Sequence, residues 1–229
     1  MWTLKAEEEF RSAAVFLEIA AGLTEAGAPL DLLAALADVV RDEVEHSAMC
    51  RDLAETFSAP EPAADVRSAL PRLGAYAPQR KMRALALLLF EGAVGETISA
   101  MLFHASRQAA QEPCAKSALA SILRDEARHA RLCWEGVETM LPDTTPHERS
   151  VLQEDLRRSF GAYERGIVLT VLERLEAGIE TDPDAFALGV IPPEVRVDTI
   201  YRGIEGVILP RLTRLGFDGG AAWANRYRA

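Results

Sequence analysis

Apolar residues recur along most of the chain at the three- and four-residue intervals that place them on one face of an α-helix. From Trp2 to about residue 26, Trp2, Ala6, Ala13, Phe16 and Ala20 fall on one side, and Glu7, Arg11, Glu18 and Glu25 form a polar stripe on the other. Gly27-Ala28-Pro29 ends this helix and sets Pro29 at the first turn of the next. A second helix, from about Leu30 to Phe57, turns Leu32, Leu36, Val39, Glu43, His46 and Cys50 inward. The prolines of Ser58–Pro62 stop it, and residues 63–78 read as a connection with a short helix near Asp65–Leu73. A third helix over Gln79–Gln111 is apolar nearly all round from Leu85 to Leu102, as expected of a buried central helix.

Pro113 opens a fourth helix that runs to about Met140 and turns Leu119, Ile122, Glu126, His129 and Cys133 inward. Leu141–Pro146 ends it. His147–Gly178 reads as a fifth long helix, Thr181–Pro193 as a loop, and Val195–Leu215 as a sixth helix interrupted by Pro210. A Gly-rich tail follows. No segment alternates apolar and polar residues, so the fold class is all-α. Residues 1–146 form a four-helix unit with a long crossover between its second and third helices, a known bundle topology. Residues 147–229 form a helical extension packed on it within the same domain.

Composition narrows this picture only a little. The 229 residues are 49% hydrophobic and 26% charged, an ordinary globular balance, with a formal net charge of -10. That charge argues against nucleic-acid partners, whose phosphates require a basic face, and against anionic membranes. No apolar run reaches the length of a membrane span; Ala84–Phe90 is the most apolar stretch. No N-terminal stretch has the form of a secretory leader. Three cysteines without a C-x-x-C pair suit a reducing compartment, so the expected location is cytoplasmic.

The chemistry lies in a stretch that occurs twice. Arg41-Asp42-Glu43-Val44-Glu45-His46 through Cys50 and Arg124-Asp125-Glu126-Ala127-Arg128-His129 through Cys133 share the pattern R-D-E-x-x-H-x-x-x-C at an offset of 83 residues. Glu and His three apart lie on one helical face and can hold one metal between them. A surface E-x-x-H pair is common; two matched copies, each continuing an apolar stripe, are not, because buried Glu is costly unless paired or metal-bound. A two-metal site of this type also takes a Glu from each of the other two helices. In the first helix Glu9 shares the apolar face and is preferred to Glu8. In the third, Glu96 and Glu91 both sit in apolar sequence, and level along the bundle favours Glu96. The expected ligands are therefore Glu9, Glu43, His46, Glu96, Glu126 and His129, with Glu8 and Glu91 as alternatives. His104 and His147 are expected to lie outside the site, and Cys50 and Cys133 to be small buried hydrophobes. Tyr163 and Glu164 are candidates for lining a cavity.

Four helices contributing E, E-x-x-H, E and E-x-x-H resemble the ferritin-like superfamily of di-iron and di-manganese carboxylate proteins. Asp125-Glu126-Ala127-Arg128-His129 is similar to the D-E-x-R-H signature of its oxygenase branches; the first copy departs, with Glu45 in place of Arg. The resemblance covers about residues 1–140. It implies a non-haem dinuclear oxidoreductase holding two Fe ions, or Mn, or a mixed Mn/Fe pair. It implies that O2 or peroxide is activated, that an unidentified small molecule is oxidised, and that an external donor supplies electrons. It assigns Asp42 and Asp125 to accept the N–H groups of the ligand imidazoles, and Arg128 to pair with one of these acids. Cys50 stands where ribonucleotide reductase small subunits commonly carry a radical tyrosine, which counts against that branch. Iron storage or detoxification and a manganese catalase are the alternatives within the superfamily, and a metal-free interaction module the alternative outside it. The C-terminal helices exceed what a storage protein needs and suit a homodimer interface or the roof of a substrate pocket.

Overall fold

The computed structural model describes residues 2–57, 79–178 and 182–227; the connection at residues 63–78, with its expected short helix near Asp65–Leu73, lies outside them. The described residues are all-helical, with no strand among them. Helix α1 spans Trp2–Glu25 and α2 Leu30–Phe57. Gly27, at φ 75°, turns the chain between them, a backbone conformation that costs other residues a Cβ clash. Helix α3, Arg80–Ala109, is one continuous rod, but its middle, Leu88–Gly95, is wound as a π-helix. Helix α4, Pro113–Met140, starts with its proline in the first turn, where the missing N–H has no partner to lose.

The last third differs more from expectation. Helix α5 covers 146–176, with a π turn at Glu164–Val168. It opens on a reciprocal cap: Thr145 Oγ1 accepts from the Glu148 N–H at 3.2 Å, and the Glu148 carboxylate accepts from the Thr145 N–H at 2.7 Å. The expected loop contains a short helix, α6, Pro183–Ala187. Helix α7 covers 193–214, and Pro210 does not interrupt it. A π turn, Ile204–Ile208, lies just ahead of the proline, so the missing N–H falls where the ladder has already changed register. The Gly-rich tail forms a further short helix, α8, Gly219–Ala224, capped by Asp218.

One further expectation is corrected. Helix α3 is long and apolar enough to cross a membrane by length and composition alone. Most of its apolar stretch is buried inside the protein, which is the position of a core helix surrounded by others.

The helices pack as a bundle. α1 lies chiefly on α2 and α3, α3 on α4, and α2 on α4; α5 and α7 cover α3, and α8 rests on α5. Two apolar clusters fill the bundle. One holds Phe16, Leu36, Val39, Val94 and Cys133; the other holds Trp2, Ala6, Cys50, Phe103 and Ile122. Going along α2, the first cluster comes before Glu43 and the second after His46. Along α4 the order is reversed: Ile122 of the second cluster precedes Glu126, and Cys133 of the first follows His129. A polar layer therefore divides the core.

Candidate metal centre

The polar layer is made of the six residues expected from the sequence. Glu9, Glu43, His46, Glu96, Glu126 and His129 are each at most 6% exposed. Helical spacing explains half of it: each Glu–His pair rises one turn on the inward stripe of its helix. Glu9 continues the stripe of Trp2, Ala6 and Ala13 on α1. Glu96 stands directly after the π segment of α3. That wider turn re-aims the residues that follow it, which an α-helical wheel does not anticipate.

Donor atoms from these residues fall into two overlapping groups. Glu9, Glu43, His46 and Glu126 form one, and Glu43, Glu96, Glu126 and His129 the other; within each, the donor atoms lie within 4.8 Å of one another. Glu43 and Glu126 belong to both. His129 Nδ1 is 2.9 Å from Glu43 Oε1 and 3.8 Å from Glu96 Oε2, while His46 Nδ1 is 3.4 Å from Glu126 Oε1 and 3.6 Å from Glu9 Oε2. The two imidazole centroids stand 5.9 Å apart.

Glu43 Oε1, His46 Nδ1, Glu96 Oε2, Glu126 Oε1 and His129 Nδ1 are buried, and outside the cluster itself none has a hydrogen-bond partner among the described residues. Orphaned polar atoms cost free energy, and five facing one another call for a shared partner. A cation is the partner this chemistry accepts. The buried Glu/His groups can hold a metal ion, and the cluster is compatible with two. Fully ionised, the four carboxylates would carry four negative charges, which two divalent cations would balance. Oxygen and imidazole donors suit iron or manganese and also accommodate zinc.

The outer nitrogens of the imidazoles are fixed by acids from the opposite copy of the repeat. His129 Nε2 is 3.2 Å from Asp42, and His46 Nε2 is 3.4 Å from Asp125. Such a contact keeps a proton on Nε2 and aims Nδ1 at the cluster. Arg128 ties the two acids together, contacting Asp42 directly and Asp125 at 3.4 Å. Burial pushes the Asp42 carboxyl up, but hydrogen bonds from Arg128 and His129 outweigh it and hold it below the usual range.

Without a cation the groups of the layer shift one another's proton affinity. Burial, reinforced by neighbouring carboxylates, raises Glu43 and Glu96 well above the ordinary carboxyl value, and burial raises Glu9. Burial acts on Glu126 in the same direction, but its contacts with His46 and Glu96 outweigh it and leave this carboxyl low. Burial also pushes the imidazoles down; the facing carboxylates overcome this, lifting His46 to about 10 and raising His129 too.

Compared with known proteins, the chain matches no family model, no curated protein and no solved structure.

Residues that the sequence left open are now placed. Glu8 is exposed on α1, and Glu91 is half-buried away from the cluster, where Arg11 approaches it at 3.5 Å. His104 and His147 are exposed. Cys50 and Cys133 are buried in the two apolar clusters. A Cβ on Gly92 would lie 2.9 Å from Cys133 Sγ, so the glycine lets α3 close on α4 beside His129. Phe16 faces a cavity next to the cluster, whereas Ala13 and Leu89 are core residues. Tyr163 lines that cavity, as does Arg196, which carries no motif in the sequence and is brought there only by the folding of α7 over α3. Glu164 does not line it. This carboxylate is buried and accepts from Tyr201, Tyr227 and Arg226.

Proposed function

We propose that this chain is a dinuclear non-haem oxidoreductase of the ferritin-like kind, with a preference for iron, that uses O2 or peroxide to oxidise a small organic molecule. One observation carries the proposal: two donor groups share Glu43 and Glu126 in a buried layer that opens on a cavity under the C-terminal helices. Glu9 and His46 would help to hold one ion and Glu96 and His129 the other, with Glu43 and Glu126 within reach of both. Two such ions supply the activation of dioxygen or peroxide that no side chain provides. The protein's own part is geometric and electrostatic. Asp42 and Asp125 orient the imidazoles through Nε2. The apolar clusters on either side keep bulk water from the layer. Ser12 donates to Glu96 at 3.4 Å on the cavity side. The electrons must come from an external donor, because the sequence carries no flavin or iron–sulfur motif. The four-helix unit with its added C-terminal helices suits an enzyme with a covered pocket better than a storage cage.

The test is metal content. Protein purified from iron-supplemented growth is expected to hold about two metal ions per chain. Glu43→Ala and Glu126→Ala, which each remove a shared ligand, are expected to bring this below one. Less than one ion per chain in the unaltered protein after reconstitution would sink the proposal. Size-exclusion chromatography separates the alternatives: a monomer or dimer supports the enzyme, and a cage-sized assembly supports storage.

A further inference from the structure

Three partly open cavities adjoin one another beside the carboxylate–imidazole layer. The one nearest the layer, about 90 Å³, touches Glu9, Glu43, Glu96 and Glu126. A middle chamber of about 170 Å³ shares Ser12, Glu96 and Arg196 with it. An outer cleft of about 820 Å³ shares Arg11, Glu91, Tyr163 and Ile167 with the middle chamber. The cleft is of the size that holds small organic ligands.

The chemistry of the wall changes along this path. Val15, Phe16, Ile98, Leu102 and Ile167 give the middle chamber an apolar side. The outer cleft is basic: Arg11, Arg157, Arg158, Arg165 and Arg226 line it, against the acids Glu91 and Asp155. That is unusual on a chain whose net charge is -10. Three of the arginines are already answered, Arg157 by Glu154, Arg158 by Asp155 and Arg226 by Glu164. Two are not closely answered. Arg165 has no carboxylate partner among the described residues, and its guanidinium lies 5.6 Å from the centre of the Tyr227 ring. Arg11 meets Glu91 only at 3.5 Å, and its side chain is 46% exposed.

We infer that the path takes an organic oxyanion with an apolar body. Its carboxylate or phosphate head is held at the cleft by Arg165 and Arg11, and its body fills the middle chamber. Its far end meets the Glu96 side of the layer, and only this last clause rests on the metal proposal above. Guanidinium groups present paired donors that match an oxyanion, and a fixed head orients the rest of the molecule toward one end of the path. Arg196, half-buried over the middle and inner chambers and without an ion pair among the described residues, keeps the inner part of the path from being uniformly acidic.

Calorimetric titration of the full chain with octanoate, octyl phosphate and octanamide tests this, with the metal loaded and without it. At least one anion is expected to bind at least about tenfold more tightly than the amide, and the stronger of the two identifies the head group. Butanoate is expected to bind more weakly than octanoate, because it leaves the apolar chamber unfilled. Arg11→Met with Arg165→Met should abolish the preference for the anions, and Arg165→Met alone should reduce it. Arg131→Met, which removes an exposed charge on α4 far along the sequence from the cleft residues, should leave it intact. Equal binding of anions and amide, no saturable binding of any of them, or a preference that survives loss of both arginines would overturn the inference. The two ideas fail separately. Two metals per chain with no anion preference removes this inference alone, and an anion preference without metal removes the metal proposal alone.

Discussion

At the scale of single residues, the site is a problem of protons. Glu9, Glu43 and Glu96 hold their protons above the usual carboxyl range, and the imidazoles of His46 and His129 are likewise raised, His46 to about 10. At about 10 the His46 imidazole keeps its proton at neutral pH, the upward shifts of the others strengthen their hold on theirs, and a cation can take these lone pairs only by displacing the protons on them. Metal uptake is therefore expected to release protons and to tighten as pH rises. It should weaken steadily as pH falls below neutral, where the protons compete better. A pH-stat titration with Fe(II) under anaerobic conditions measures the release directly. Uptake with no proton release at pH 7 would contradict this account of the layer. Asp42 behaves oppositely, because Arg128 and His129 outweigh its burial and hold it ionised through the same range, so it continues to orient His129.

At the scale of elements, the C-terminal tail after α7 is fastened to α5. Glu164, on the π turn of α5, accepts from Tyr201 of α7 and from Arg226 and Tyr227 just after α8. Arg226 also stacks over Trp223 at 3.8 Å, and Trp223 meets Phe160 edge-on at 5.4 Å. Gly161 makes this approach possible: a Cβ there would lie 2.2 Å from the Arg226 carbonyl oxygen, which is backbone and has little freedom to move. Gly161→Ala is expected to push the tail off α5 at a cost of about 1–3 kcal/mol in stability. Urea unfolding measures the cost, and faster hydrogen exchange over residues 219–227 would show where it falls. Exchange there at the unaltered rate would mean that the tail is held by something other than this contact. Because Arg226 and Tyr227 line the outer cleft, the same substitution reshapes the mouth of the path.

At the scale of the whole molecule, stability and the site are linked through the divided core. A layer of four carboxylates and two imidazoles separates two apolar clusters that would otherwise be continuous. Burying such groups is unfavourable, and a ligand that binds only the folded chain offsets the cost by mass action. With free metal at about a hundred times its Kd, the folded state gains roughly 2.7 kcal/mol. For a chain of this length that corresponds to a rise in Tm of about 5–10 °C. Differential scanning calorimetry with and without Fe(II) or Mn(II) checks this, and Glu126→Ala should lose most of the shift. An equal shift in the variant would place the stabilising metal elsewhere.

The sequence by itself determined the long helices and the inward face of those that carry the repeat. It also determined that Glu43, His46, Glu126 and His129 lie on those faces, because helical periodicity is a local property and the repeat states it twice. The choice of Glu9 over Glu8 was legible for the same reason. The choice of Glu96 over Glu91 rested only on level along the bundle, since both sit in apolar sequence, and the π segment that holds Glu91 and ends just before Glu96 changes the register in a way no wheel anticipates. Which acid serves which imidazole was equally hidden. Asp42 pairs with His129 and Asp125 with His46, across two helices whose relative level is set by side-chain packing. Only the tertiary structure decided what the last third of the chain does around the site. It places Tyr163, Ile167 and Arg196 over the opening between α1 and α3 and gathers arginines from three elements at one cleft. Those residues carry no shared spacing, so their meeting depends on how helices cross, which is fixed by contacts distant in sequence.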